Sequence, residues 1–233
     1  MKRHALAALL LTAAGLAGAA DTAVVIDSSR QFMPNTMPRK AAWFGLFCRK
    51  LDCELRPAEV DISIETAKDI LDEDEELDRV TAQGKPIAIF ANLPLKPGKV
   101  VTWHAMTDEQ YFGSPQYEKL RKLGKWSVPG GPQPLVLTWV KTAEGRKRYH
   151  ITDGVAKQFL FAVDAVSHYE GDTTPVVYWA GDLDGDGKAD LLLAIPDDNC
   201  GYDERLYLST GATEGNLLRK AAHVHGQEAA CGC

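Results

Sequence analysis

The stretch Asp182-Leu183-Asp184-Gly185-Asp186-Gly187-Lys188-Ala189-Asp190 constrains this chain more than any other. Carboxylates stand at its positions 1, 3, 5 and 9. Gly185 and Gly187 permit the left-handed backbone that a tight wrap requires. Four like charges in so short a loop repel one another, so ordering such a loop is coupled to binding a cation. Calcium suits it: a hard ion that takes six to eight oxygens at about 2.3–2.6 Å. Alternate residues turn Asp182, Asp184 and Asp186 inward, Lys188 offers its carbonyl, and Asp190 closes the site from the next strand. The expected role is structural, with an affinity on the order of 10⁻⁴–10⁻³ M. An EF-hand would need an acid at position 12, where Leu193 stands. Val176-Val177-Tyr178-Trp179 and Leu191-Leu192-Leu193 favour strands, so residues 175–195 read as a strand-loop-strand hairpin. Asp-Gly turn chemistry accounts for one or two of these aspartates, but not for four in register.

The remainder of the chain repeats the β signal. Runs rich in β-branched and aromatic residues cover 22–26, 43–48, 53–64, 86–93, 99–104, 134–141, 148–152 and 158–163. Others follow at 175–180, 189–195, 206–210 and 217–224, with Gly, Pro, Asn and Asp between them. This spacing predicts an all-β, mostly antiparallel fold, sandwich- or barrel-like, with minor helix. Residues 66–83, carrying Asp72-Glu73-Asp74-Glu75-Glu76, read as a solvated loop or a short acidic helix. Ser114-Pro115-Gln116-Tyr117-Glu118 has the cap, first-turn proline and acid of a helix start. No unit recurs at a fixed period, and the Asp-rich loop occurs once.

Residues 1–20 read as a secretory signal peptide. Lys2, Arg3 and His4 precede an apolar run that is short for a membrane span, and small residues at 17–20 suit cleavage. The expected location is periplasmic or secreted, with residues 21–233 forming a single β-rich domain. Of 26 basic residues, Lys2 and Arg3 leave with the signal, so 24 face 32 acidic ones, a balance of −8. That charge argues against nucleic acid as a partner, and no later segment is long and apolar enough to span a bilayer.

Five cysteines suit an oxidising compartment. Cys48 and Cys53 flank a tight turn between strand-like runs and read as a cross-strand disulfide, worth roughly 2 kcal/mol in the loop-entropy model. Cys200 is expected to pair with Cys231 or Cys233, a longer closure worth roughly 3–4 kcal/mol, which leaves one thiol over.

Trp179-Ala180-Gly181 and the Asp loop through Leu193 together resemble one FG-GAP-type (VCBS-like) calcium repeat. In that family the aspartates bind calcium in a hairpin of a β-propeller blade. The resemblance implies Asp182, Asp184, Asp186 and Asp190 as side-chain ligands and Lys188 through its carbonyl. It covers about 15 residues. A propeller needs several blades, and one repeat is visible. More broadly, Gly45-Leu46-Phe47-Cys48, Cys53-Glu54-Leu55-Arg56-Pro57 and the Asp-loop segment resemble uncharacterised exported bacterial proteins, which implies no activity.

Other constellations are weaker. His223-Val224-His225 followed by Cys231-Gly232-Cys233 has the spacing of a copper or zinc clip, and reads more simply as a polar strand face beside a disulfide anchor. Asp197, Asp198, Asn199, Asp203 and Glu204 read as a solvated turn. His104, His150 and His168 are isolated, and Trp43, Trp103, Trp126, Trp139 and Trp179 read as core rather than as a sugar-stacking platform. No G-x-S-x-G, P-loop or H-E-x-x-H signature occurs, so no catalytic residue is named. The leading expectation is therefore an exported calcium-binding protein of non-enzymatic, binding or structural type, with an unknown protein or glycan partner. The alternative is an exported hydrolase with a dispersed active site. A third reading is a metal-handling protein that uses the C-terminal His and Cys residues.

Overall fold

The computed structural model of the protein describes residues 22–26, 31–68, 71, 73–106, 115–131, 133–163, 174–195 and 201–227. In chain order the first eight strands are β1 Ala23–Val25, β2 Gln31–Phe32, β3 Trp43–Arg49, β4 Asp52–Pro57, β5 Val60–Lys68, β6 Asp74–Ala82, β7 Ala88–Ala91 and β8 Gly98–Ala105. A helix, α1 Pro115–Leu123, precedes β9 Lys125–Ser127, β10 Val136–Lys141, β11 Lys147–Thr152 and β12 Lys157–Val163. The last four are β13 Val176–Asp182, β14 Asp190–Ala194, β15 Gly201–Leu208 and β16 Arg219–Gln227.

Nine strands form one antiparallel sheet in the order β1-β7-β3-β4-β8-β13-β14-β15-β16. The sheet curls until its edges nearly meet: the Thr22 hydroxyl donates to the Ala221 carbonyl at 3.2 Å. The Ile26 amide adds a bond to Glu204 Oε2 on β15 at 2.6 Å. A four-stranded sheet, β12-β11-β10-β9, and a three-stranded one, β2-β6-β5, accompany this barrel-like sheet. The all-β, antiparallel expectation therefore holds.

Alternation along the strands builds the barrel interior. Leu46, Leu55, Phe90, Trp179, Leu192 and Leu206 point into it and are fully buried. The opposite face of β13–β15 is buried as well, because Val177, Leu191, Leu193 and Tyr207 pack with Leu120, Trp126, Leu137, Tyr149 and Phe161 of α1 and the four-stranded sheet. A third cluster joins Phe32, Met37 and Val80 to Trp43, Ile89 and Tyr202. All five tryptophans pack into these cores, Trp103 and Trp139 being partly exposed.

Three expectations change. Within residues 66–83, the expected loop or acidic helix gives way to strand: 66–68 finish β5 and 74–82 form the nine-residue strand β6. Leu77 and Val80 are buried along β6, while Asp74, Glu75 and Glu76 sit at its hairpin end, where water solvates them. The fully buried Asp78 is neutralised by Arg39. Residues 53–64 are two strands, not one: the chain turns after Pro57, and the Ala58 amide donates to the Trp43 carbonyl at 2.9 Å. Asp203 and Glu204 belong to β15 rather than to a solvated turn, and Glu204 is buried. Cys48 and Cys53 form the expected disulfide across the β3–β4 pair. The signal segment, Ser114, His168, Cys200, Cys231, Cys233 and residues 197–199 lie outside the described residues. Among the described residues, no helix is long and apolar enough to cross a membrane.

His104 on β8 is a satisfied core histidine. Its Nε2 lies 2.8 Å from the Val177 carbonyl and its ring meets Trp126 edge-on. Burial holds its pKa below the ordinary value, outweighing the carbonyl, which favours the charged form. In the unfolded chain the ring titrates near about 6.5. As pH falls through that value the unfolded chain takes up the proton first, so the stability this group contributes is complete above it and declines below it. His104→Gln should therefore lose less stability on acidification than the wild type. Urea denaturation at about pH 7.5 and about pH 5.5 should show the gap between the two proteins narrowing by up to about 1.4 kcal/mol per pH unit.

Candidate metal centre

The Asp loop hangs between two strands that are each buried on both faces. β13 ends at Asp182 and β14 begins at Asp190, with Gly181 opposite Asp190 in the register. Leu183 and Ala189 are buried and pin the two ends of the loop to the cores on either side of the sheet. Gly185 and Gly187 adopt φ values of 82° and 80°, the left-handed conformation the wrap requires.

Side-chain oxygens organise this turn. Both carboxylate oxygens of Asp182 accept backbone amides, Gly185 at 2.8 Å and Gly187 at 2.9 Å. Asp184 Oδ1 accepts the Asp186 amide at 3.3 Å, and Asp186 Oδ1 accepts the Lys188 amide at 2.8 Å. A carboxylate oxygen carries more than one lone pair, so these bonds leave acceptor capacity for a cation.

Asp182, Asp184 and Asp190 converge, each offering an oxygen within 4.8 Å of the others. Asp190 is 0 % exposed; its Oδ2 accepts the Leu183 amide at 2.7 Å and its Oδ1 the Ser209 amide at 2.8 Å. Burial pushes its carboxyl up to about 7, the Asp184 charge adds to the rise, and the two amides oppose it. Asp184 Oδ2 is buried and accepts no hydrogen bond from the described residues. A metal ion would satisfy both groups at once, and hard carboxylate oxygens are the donors such an ion selects.

Asp186 lies outside the converging group. Its Oδ2 accepts the Thr210 hydroxyl at 3.2 Å, and with Lys188 it lines a groove of about 570 Å³ that Gln133, Thr213, Glu214 and Asn216 continue. The turn at Ser209 and Thr210 is the part of the site that local spacing did not reveal. It comes from the end of β15, and only the sheet order brings it to Asp190.

Among the described residues, no histidine converges on the loop. His104 is in the core, and His150 faces Phe159 edge-on, with ring centroids 5.7 Å apart. His223 and His225 stand on β16. Compared with family models, curated proteins and solved structures, the chain matches none.

Gly181, one residue before the first aspartate, has no room for a side chain. A Cβ there would lie 2.2 Å from the Val101 carbonyl oxygen of β8 and 2.4 Å from the Trp179 ring. Gly181→Ala must push β8 from β13 or displace a fully buried tryptophan. The expected cost is about 2–3 kcal/mol, read as a lower urea midpoint at unchanged slope.

Proposed function

We propose that the 182–190 loop binds calcium and that the protein is an exported, non-enzymatic module of binding or structural type, the ion stapling its barrel-like sheet. One observation carries the reading: three carboxylates converge within 4.8 Å around an Asp190 that is wholly removed from water. Carboxylates that only cap a turn belong at the surface, where water screens their repulsion. The unpartnered Asp184 oxygen and the strand-loop-strand geometry support the same reading. So does the likeness of residues 179–193 to an FG-GAP-type repeat. The disulfide and the signal-like first residues support a periplasmic or secreted location. The groove beside Asp186 and Lys188, lined with hydroxyl, amide and charged groups, is where a polar protein or glycan partner would rest.

Calorimetry of chelator-treated protein with calcium tests this. Binding at one ion per chain is expected, with stabilisation of about 1.4 kcal/mol when calcium stands tenfold above its Kd. Asp184→Asn keeps the shape and removes one ligand charge. It should weaken calcium at least about tenfold while leaving the metal-free protein as stable or more so, since it relieves the repulsion on Asp190. Absence of both heat and a rise in Tm at millimolar calcium would sink the proposal.

A further inference from the structure

A second cluster, on β15 and β16, has the parts of a transition-metal site. His223 and His225 project from one face of β16, their rings stacked with centroids 4.6 Å apart and planes 10° from parallel. Their cross-strand partners on β15 are Arg205 and Asp203. Asp203 Oδ1 lies 3.0 Å from His223 Nε2, and the Arg205 Nε donates to the same oxygen at 2.6 Å. The Arg205 Nη2 donates to the other oxygen, Asp203 Oδ2, so the carboxylate is held in a two-point ion pair.

An ionised carboxylate can only accept, so the Nε2 of His223 carries the proton. The nitrogen left to act as a donor to a metal is then Nδ1, and the Lys220 ammonium sits 3.2 Å from it. A carboxylate that fixes tautomer and ring plane, with the opposite nitrogen bare toward a cation, is the arrangement of metal-binding histidines. Here a lysine stands where the ion would. His225 has no hydrogen-bond partner among the described residues and is exposed. Residues two apart on a strand share a face, so turning the unpaired His225 ring out of the stack, with His223 held by Asp203, brings a nitrogen of each to one ion.

We propose that His223 Nδ1 and a ring nitrogen of His225 bind a borderline divalent ion of the copper(II) or zinc(II) class, with Asp203 positioning His223 and Lys220 competing for the same lone pair. Imidazole donors select these metals over calcium, which takes oxygen. Two protein ligands leave coordination positions for water or for a donor from outside. This site is independent of the Asp loop, and either can fail without the other.

The test is titration of the full chain with copper(II) in saturating calcium, followed by calorimetry and electron paramagnetic resonance. One copper per chain with nitrogen hyperfine structure is expected. His223→Gln and His225→Gln should each weaken it roughly 10–100-fold, and Asp203→Asn by a comparable factor, with calcium titrations unchanged. Lys220→Met should tighten copper, which a merely structural lysine would not do. Lys220 and His225 are exposed, so these two variants keep the fold even if His223→Gln does not. Copper affinity unchanged in His225→Gln would overturn the proposal. So would a thiolate charge-transfer band abolished by Cys231→Ser and Cys233→Ser, which would place the ion on the tail. Unaltered binding in Lys220→Met would overturn the assignment of Nδ1 as the donor.

Discussion

The double-sided burial of β13, β14 and the end of β15 is the constraint on which the rest of the molecule depends. Leu192 faces the barrel interior while Leu191 and Leu193, its neighbours in sequence, face the four-stranded sheet and α1. Each such leucine contributes about 1.5–3 kcal/mol through burial, and on β14 no face is left for water. A strand held on both sides has no freedom to slide, since a slip of one residue would exchange its two cores. That rigidity fixes the ends of the Asp loop and brings the Ser209 turn against it.

Asp190 shows what this rigidity does electrostatically. A carboxylate at the first position of a doubly buried strand is desolvated whether or not anything compensates it. Two amides, from Leu183 and Ser209, meet its oxygens and couple three segments of chain through one side chain. They do not offset the loss of water entirely, and the carboxyl stays near 7. The strand that anchors the core thus also sets the cation demand of the loop.

Much of this was legible in residue order, and the exceptions have physical causes. Strand content, the strand-loop-strand character of 175–195 and the Cys48–Cys53 bridge follow from local signals: β-branched runs, turn glycines and a short cysteine spacing. β6 was not legible, because Asp74, Glu75 and Glu76 dominate its composition while its pairing with β5 and the burial of Leu77 and Val80 are tertiary. The break after Pro57 was hidden in the same way, inside an unbroken run of strand-forming residues. Within the site, the aspartates were visible by spacing, whereas the contribution of Ser209 depends on β14 pairing with β15. The departure of Asp186 toward Thr210 likewise depends on a residue 24 positions away.

The near-closure of the nine-stranded sheet bears on how the chain reaches its native state. β1 pairs with β7 but also seals against β15 and β16, through bonds spanning 199 and 178 residues. Contacts so distant in sequence bear the full entropy of closing the intervening chain, and they place the fold among slow, high-contact-order topologies. Synthesis delivers β1 well before β15 and β16, so the seam cannot form until β16 has emerged. The hairpins β3–β4, β5–β6 and β10–β11, local by construction, can assemble before then. Until that seam forms, β1 and β16 are open strand edges that a second chain could pair with.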